Sequence, residues 1–301
     1  MNIFIFGAGY SARAFTESNR GRAESIAGTT RSSHKFDILE ASGVSPLLFD
    51  GATLGADLAS ALREATHLVV VIAPGDAGDP VLRLIPDLRA AMPGLEWIGY
   101  LSTVGVYGDH QGKWVDETSP CRPVSRRSVE RLEAENAWTA AGRAAGVPVA
   151  LLRLSGIYGP GRNAFVNLAA GTAKRLIKPG QVFNRIHVDD IAGALWHLAE
   201  AKLGGAFNVT DDLPAPPQDV VAYAAELMGV PPPPEQPFET ADLSPMARSF
   251  YGENKRVSNA AIKKAGYAFQ FPDYRAALAA MWRGDGWNAS DARPVRSPIR
   301  A

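Results

Sequence analysis

The amino-terminal half of the chain alternates short apolar runs with amphipathic segments. Six runs are continuous and end at glycine, proline or small polar residues, which predicts strands buried in a parallel sheet. Most segments between them have helical spacing, and the longest, residues 128–146, closes at a glycine. Strands alternating with helices predict an α/β fold with a doubly wound parallel sheet and right-handed crossovers. The predicted strands are residues 2–6, 24–31, 44–50, 67–74, 95–103 and 147–159.

The alternation of strands and helices becomes less regular after Gly159. Residues 185–201 start a helix for which Asp189 or Asp190 is the expected N-cap, and residues 206–212 are a further short strand. The last segment, residues 286–301, has no apolar periodicity. We therefore expect a mobile tail there.

Composition indicates a soluble globular protein. The chain has 301 residues, a hydrophobic fraction of 46% and no formal net charge, so no global field attracts nucleic acid or an anionic membrane. No apolar run is long enough to span a membrane, and Cys121 is the single cysteine. The five histidines are scattered, without metal-ligand spacing. We expect a cytoplasmic protein with no metal site and no nucleic-acid or membrane partner.

A glycine-rich loop follows the first predicted strand and opens the first helix. Its sequence GAGYSA places Gly7, Gly9 and Ala12 in the spacing G-x-G-x-x-A, with Tyr10 and Ser11 between them. Such a loop lets a pyrophosphate approach the backbone at the amino end of a helix. The alternative is a plain strand–helix turn. The surrounding alternation favours a dinucleotide site.

The residues after the second strand distinguish between cofactors. An NAD site usually has an acid here, for the ribose 2′-hydroxyl, but this sequence reads GTTRSSHK. Arg31 and Ser32 offer a planar donor fork and a hydroxyl group, which suit a 2′-phosphate. The alternative is a solvated basic loop. We expect NADP, with NAD the less favoured cofactor.

Five further motifs follow the glycine loop in order: YLSTVGVYGD, SVERLEAE, RLSGIYGPGR, RIHVDDIAGAL and FNVTDD. Together they resemble the extended short-chain dehydrogenase/reductase family, of the NAD-dependent epimerase/dehydratase type. The resemblance covers residues 1 to about 280. It implies a Rossmann domain in residues 1–160, with 181–212 returning to it, and a smaller substrate-binding domain in 161–180 and 213–285. The family often dimerises through its long helices, so a homodimer is a possible assembly.

The resemblance also implies roles for single residues. Thr103 falls at the family's Ser/Thr acceptor after the fifth strand. Asp50 would lie near the adenine, and Ala73 and Pro74 would border the cofactor. Ser155 lies in the segment that would face the nicotinamide.

One element departs from the family pattern. The family has a Tyr-x-x-x-Lys pair at the start of the long helix, where this chain has Arg127 and Arg131. Arginine stays protonated and cannot exchange a proton as tyrosine does. The resemblance is therefore to an atypical branch, in which Arg131 would replace the lysine at the ribose. Arg127 would bind an anionic group or stabilise an oxyanion. The alternative is a solvated face paired with Glu130, Glu133 or Glu135.

The proton carrier and the substrate are less well defined. Water or Tyr107 would carry the proton, although a structural role is favoured for the tyrosine of VYG. Arg162 and Arg185 would join Arg127 in a cationic substrate pocket. His187 is another candidate there, with the ordering of a turn as its alternative.

The sequence thus predicts an NADP-dependent oxidoreductase or epimerase for a small carbonyl or sugar-like substrate, and the arginines favour an anionic one. Its catalytic candidates are Thr103, Arg127 and Tyr107. The main alternative is a non-catalytic NADP-binding redox sensor or partner-binding module, which the missing tyrosine favours. Isomerase or lyase chemistry with transient use of the cofactor is a third possibility.

Overall fold

The computed structural model describes residues 1–288, apart from the side chain of Met246, and places seven parallel strands in one sheet. The order of these strands is β3-β2-β1-β4-β5-β7-β11. The chain reverses its direction of travel between β1 and β4, which creates a crevice at the carboxyl ends of these two strands. The strands are β1 (Asn2–Phe6), β2 (Ser25–Thr30), β3 (Ser45–Leu48), β4 (His67–Val70), β5 (Trp97–Thr103), β6 (Trp114–Val115), β7 (Val149–Leu154), β8 (Gly156–Tyr158), β9 (Arg175–Ile177), β10 (Arg185–His187), β11 (Gly205–Val209), β12 (Glu235–Pro237) and β13 (Arg256–Val257).

Helices cover both faces of this sheet. The longest begins after Ser125, whose hydroxyl accepts from the amide of Ser128, and ends at Gly146 in the left-handed conformation. The helices are α1 (Tyr10–Ser18), α2 (Phe36–Ala41), α3 (Ala56–Arg63), α4 (Pro80–Leu84), α5 (Leu88–Ala91), α6 (Arg126–Ala145), α7 (Ala164–Ala169), α8 (Val188–Glu200), α9 (Pro217–Met228), α10 (Pro245–Ser249), α11 (Ala260–Lys264) and α12 (Tyr274–Arg283).

The sheet separates two hydrophobic clusters because successive side chains of a strand point to opposite faces. Ile3 and Ile5 of β1 face the cluster that α1 and α8 cover. Phe4 and Phe6 face the cluster that α3 and α6 cover. The apolar runs are therefore buried on both faces, as the sequence pattern predicts, and the doubly wound parallel sheet is confirmed.

A third cluster lies in the carboxyl-terminal part of the chain. Phe165 on α7 and Tyr274 on α12 are its buried centre, and α9 packs against both helices. Two short parallel pairs, β8–β10 and β9–β12, complete this region. Not all of residues 213–285 belong to it, because Ile262 on α11 packs in the cluster of α1 and α8. The predicted domain boundaries stay predictions.

Two local predictions are corrected and a third is sharpened. The run of residues 147–159 is two strands, since β7 ends at Leu154 and β8 leaves the large sheet to pair with β10. Residues 79–92 have a helical pattern in which Pro86 predicts a kink, and the structure has two helices there, α4 and α5, on either side of Pro86. The N-cap of α8 is His187, not Asp189 or Asp190.

The predicted tail lies mostly outside the described residues, which end at residue 288. Its first part is packed, because the ring of Trp287 contacts Phe165 and Trp282. In residues 1–288, no helix combines the length and the apolar character that crossing a membrane requires.

Candidate functional site

The carboxyl edge of the sheet brings the predicted cofactor residues together. In a parallel sheet all strands end at the same edge, so residues that are distant in sequence become neighbours in one crevice. Each predicted group follows a different strand. Gly7, Gly9, Tyr10, Ser11 and Ala12 follow β1; Arg31 and Ser32 follow β2; Asp50 follows β3; Ala73 and Pro74 follow β4; Thr103 ends β5; and Ser155 follows β7.

The glycine loop has the geometry that a pyrophosphate requires. Gly7 has φ +96°, and a Cβ on it would lie 2.6 Å from Cγ2 of Ile72, so both backbone conformation and space demand glycine here. A Cβ on Gly9 would meet no atom within 4 Å, and α1 begins after Gly9 without a side-chain cap. The amino end of α1 thus begins next to open space without a capping side chain, which fits a dinucleotide phosphate.

Thr29 on β2 holds this loop in place. Its hydroxyl accepts from the amide of Gly7 at 2.9 Å, and its carbonyl accepts from the amide of Ala8 at 2.8 Å. Sequence reasoning missed Thr29. The available signal is a hydroxyl residue near the end of the second strand, which pairs with the strand that leads into the glycine loop.

The adenine side of the crevice is open. Arg31 is exposed directly after β2, and Ser32 is half-buried before a short 3-10 turn. Asp50 accepts from the amides of Ala52 and Thr53, and these hydrogen bonds lower the pKa of its carboxyl group. Asp50 thus follows β3 and Arg31 follows β2, which are neighbouring strands of the sheet. On the other side of the crevice, Ala73 is exposed and Pro74 half-buried.

Thr103 is oriented by its own backbone turn. Its Oγ1 accepts from the amide of Gly105 at 3.1 Å at the start of a 3-10 turn. A Cβ on Gly105 would lie 2.7 Å from Oγ of Ser128 on α6, so the two segments pack closely. Ser128 is a second hydroxyl group at this place that the sequence did not single out.

The three arginines at the start of α6 have different environments. Arg126 pairs with Asp76 in the loop after β4 and with Glu130. Arg131 donates through Nη1 to the carbonyl of Leu101 at 2.7 Å and to the hydroxyl of Tyr100 at 3.1 Å. Its guanidinium is thereby bound to β5.

Arg127 is exposed, and its side chain makes no hydrogen bond or ion pair within residues 1–288. Two of the acids expected to pair with it or with Arg131 are engaged elsewhere, since Glu130 binds Arg126 and Glu135 binds Arg153. Arg127 is therefore a cation at the carboxyl edge that is available to a ligand. Its role stays a prediction.

Tyr107 is corrected as a proton carrier. Its side chain is fully buried, and its hydroxyl donates to Oδ1 of Asn208 at 2.8 Å and accepts from Nη1 of Arg153 at 3.0 Å. Burial raises the pKa of Tyr107 to about 12. The hydroxyl is thus held in an internal network that also contains the Arg153–Glu135 ion pair, and these contacts favour the structural alternative.

Arg185 is also corrected, because it does not join a cationic substrate pocket. Its Nη1 donates to the carbonyls of Phe183 and Ala215 inside the carboxyl-terminal region. Burial lowers the pKa of the Arg185 guanidinium, and burial also raises the pKa of the nearby Asp211 to about 8. The buried guanidinium therefore joins the segments that contain Phe183 and Ala215.

His187 has the turn-ordering role that was its alternative. It is buried, and its Nδ1 accepts from the amide of Asp189 at the start of α8. Its ring packs edge-on against Tyr158 and Phe271, with centroids 5.3 and 4.4 Å away. These contacts leave no face of the imidazole open to a substrate.

Arg162 lies beside the glycine loop. Its guanidinium carbon is 5.9 Å from the ring centroid of Tyr10, and the hydroxyl of Tyr10 donates to the carbonyl of Pro160 at 3.0 Å. Ser155 is buried near the end of β7, where its hydroxyl lies 3.4 Å from the carbonyl of Val209. Arg162 thus lies next to the first residue of α1, and its predicted substrate role stays a prediction.

No group of three or more histidine, cysteine, aspartate or glutamate residues within residues 1–288 is placed to hold a metal ion. The chemistry of the site is that of backbone amides, hydroxyl groups and guanidinium groups.

Comparisons with known proteins agree with this architecture. The NAD dependent epimerase/dehydratase family matches residues 80–210. Protein YeeZ of Escherichia coli K12 is 29% identical over 287 residues, which are 90% of this chain and 96% of YeeZ. A functionally unknown conserved protein from Silicibacter pomeroyi has a solved structure with a TM-score of 0.84 and 46% identity, covering 94% of this chain and 98% of that one.

Two solved structures of lower identity share the fold and contain a nicotinamide cofactor. Human epimerase family protein SDR39U1 with NADPH has a TM-score of 0.71 and 18% identity, covering 94% and 99% of the two chains. UDP-glucuronic acid 4-epimerase of Bacillus cereus with NAD has a TM-score of 0.76 and 16% identity, covering 94% and 96%. The two neighbours thus contain different forms of the cofactor.

Proposed function

We propose that this chain, whose residues 80–210 match the NAD dependent epimerase/dehydratase family, is an NADP-dependent oxidoreductase or epimerase of the extended short-chain dehydrogenase/reductase type. Its substrate would be a small carbonyl or sugar-like molecule with an anionic group. The observation that carries the proposal is the glycine loop between β1 and α1, where Gly7 has no room for a side chain, on the same edge of the sheet at which Thr103 ends β5. This arrangement supports a dinucleotide phosphate at the loop and a substrate oxygen at Thr103.

The preference for NADP rests on residues of this chain. Arg31 and Ser32 follow β2, where the ribose of a bound dinucleotide would lie, and no acid occupies the place of the usual ribose ligand. A planar guanidinium binds a phosphate bidentately. The neighbours with NADPH and with NAD support a nicotinamide dinucleotide in general.

Thr103 would bind the substrate oxygen. Its Oγ1 already accepts from the amide of Gly105, so the hydroxyl hydrogen is the part left for a ligand. Arg127 would bind the anionic group of the substrate or stabilise negative charge that develops on the oxygen. Arginine cannot give up its proton at neutral pH, so the proton would come from water. The bound cofactor would supply or accept the hydride.

The test is turnover of NADPH, followed by absorbance, against small oxo acids, neutral aldehydes and nucleotide sugars. We expect turnover with an anionic substrate. Thr103→Ala should reduce kcat strongly, and Arg127→Ala should act mainly on anionic substrates. The matched control is Arg143→Ala, which removes the same charge from the far end of α6.

The second candidate is a non-catalytic NADP-binding sensor. It is favoured by the arginine at position 127 and by the burial of Tyr107, which leave no tyrosine in the family's acid–base position. NADPH binding without turnover of any compound in the panel would support the sensor and contradict the enzyme.

A further inference from the structure

The loop that carries Arg162 is fixed by an internal turn. The amide of Gly159 donates to the carbonyl of Arg162, and the amide of Arg162 donates back to the carbonyl of Gly159, each at 3.0 Å. Nδ2 of the buried Asn163 donates to the same Gly159 carbonyl at 2.8 Å. The loop therefore has one defined shape, and the position of Arg162 on it is set.

The same loop is anchored to the carboxyl-terminal end of the described chain. The carbonyl of Trp287 accepts from the amide of Gly161 at 2.9 Å and from Nδ2 of Asn163 at 2.8 Å. The Trp287 ring packs against Phe165 and Trp282, with centroids 5.9 and 6.0 Å away. A residue far along the chain thus holds the loop from behind.

The loop that carries Arg162 also contacts the glycine loop between β1 and α1. The hydroxyl of Tyr10, the first residue of α1, donates to the carbonyl of Pro160, and the guanidinium of Arg162 lies over the Tyr10 ring. Arg162 is exposed and forms no ion pair in the described part of the chain. The first turn of α1 contains no acidic residue either. A cation without an acidic partner therefore lies beside the proposed phosphate cradle.

We infer that Arg162 binds a phosphate group of the bound dinucleotide, and that Trp287 is the positioning residue that keeps Arg162 over the glycine loop. The inference rests on the proposed function, because it requires that the glycine loop bind a dinucleotide. It gives Arg162 a role in cofactor binding, in place of the substrate role that the sequence predicted. The ligand chemistry is that of guanidinium with phosphate, and it needs no substrate.

The test is a titration of the full chain with NADPH alone, followed by nicotinamide fluorescence. We expect Arg162→Ala to weaken binding by about tenfold or more, since it removes charge-assisted hydrogen bonds. Arg162→Lys should recover part of the affinity because it keeps the charge. Arg143→Ala, a control that removes an arginine near the carboxyl end of α6, should leave the Kd within about twofold.

The role of Trp287 is tested by a double-mutant cycle. We expect Trp287→Leu to weaken NADPH binding, and Arg162→Ala with Trp287→Leu to bind no worse than Arg162→Ala alone. Such non-additivity shows that Trp287 acts through Arg162, which a general loss of stability would not produce. Trp114→Ala, at an exposed tryptophan on β6, controls for loss of an indole. Additive losses would contradict the positioning role.

Two failures are distinguishable in these titrations. If the unmodified protein binds NADPH and Arg162→Ala binds it equally well, the role of Arg162 is wrong and the proposed function stands. If the unmodified protein binds neither NADPH nor NADH, the proposed function is wrong and the inference falls with it.

Discussion

Arginine occupies two different environments at the carboxyl edge of this sheet. Arg153 on β7 is buried, and it donates to both carboxylate oxygens of Glu135 and to the hydroxyl of Tyr107. Arg127, on the first turn of α6, is exposed and has no side-chain partner in residues 1–288. The first guanidinium is a structural group and the second is available to a ligand. The sequence thus predicts on which strand or helix an arginine lies. Its hydrogen-bond partners in the folded protein determine whether its guanidinium can bind a ligand.

The hydroxyl groups divide in the same way. Tyr107 and Thr103 are four residues apart in one family motif. The tyrosine hydroxyl both donates and accepts inside the protein. The threonine hydroxyl accepts from Gly105 and keeps its hydrogen for another group. This contrast assigns Tyr107 to the scaffold and leaves Thr103 as the catalytic candidate.

The largest expected effect is at the buried ion pair. Glu135→Gln removes the charge that compensates Arg153, and leaving one buried charge unpaired costs about 3–5 kcal/mol. We therefore expect the free energy of unfolding in urea to fall by about that amount. The control is Glu200→Gln in the exposed pair with Arg22, where a loss of about 1 kcal/mol or less is expected. If the two variants lost the same unfolding free energy, the buried ion pair would be no more important for stability than the exposed one.

The second effect depends on pH. Burial raises the pKa of Asp211 from 3.8 to about 8, so the folded protein keeps a proton that the unfolded chain has lost between these values. Since the folded state then binds more protons, its stability falls as pH rises through this window. The slope is about 1.4 kcal/mol per pH unit for one proton.

The measurement compares the unmodified protein with Asp211→Asn from pH 5 to pH 8 by urea unfolding. The variant should lose this slope while keeping an acceptor for the amide of Leu213. Asp190, whose pKa burial raises to about 6, contributes equally in both proteins. A variant that keeps the full slope would show that Asp211 is ionised when folded, paired with the Arg185 guanidinium.

The third effect is that of Tyr107→Phe. It leaves Oδ1 of Asn208 and Nη1 of Arg153 without the phenol, and a buried polar group without its partner costs about 1–3 kcal/mol. We expect that loss of unfolding free energy together with an unchanged Kd for NADPH. Unchanged stability with abolished turnover would restore Tyr107 as the proton carrier.

The smallest expected change of stability is at Arg127. Arg127→Ala should leave the free energy of unfolding within about 0.5 kcal/mol, because the exposed side chain has no partner among residues 1–288. Arg131→Ala is the matched comparison, since Arg131 donates to Tyr100 and to the Leu101 carbonyl and should lose more. A large loss of stability in Arg127→Ala would show that this side chain has a structural role.

The sheet could be predicted from the sequence because parallel strands that are buried on both faces have continuous apolar sequences. The glycine loop could be predicted because the spacing of Gly7, Gly9 and Ala12 occurs between an apolar strand and a helix, as a dinucleotide site requires. The break after Leu154 was not, since residues 147–159 stay apolar while the partner strand changes from β5 to β10. Pairing partners are a property of the whole chain and are absent from a local pattern.

The helix and the strand that carry the candidate residues were predictable, but the partners of those residues were not. Arg127 and Arg131 lie on α6 and Thr103 ends β5, as the resemblance implies. It could not show that Glu135 binds Arg153, nor that Arg185 turns inward to two carbonyls, because both contacts join residues far apart in sequence. Trp287 was missed for the same reason.

The most direct test of NADP as the cofactor is a parallel titration with NADPH and NADH, followed by nicotinamide fluorescence. The variants are Arg31→Ala and, as the matched control, Arg20→Ala at another exposed arginine. We expect tight binding of NADPH, weak binding of NADH, and loss of this preference only in Arg31→Ala. Tighter binding of NADH, or an unchanged preference in Arg31→Ala, would contradict the assignment of the residues after β2 to a 2′-phosphate.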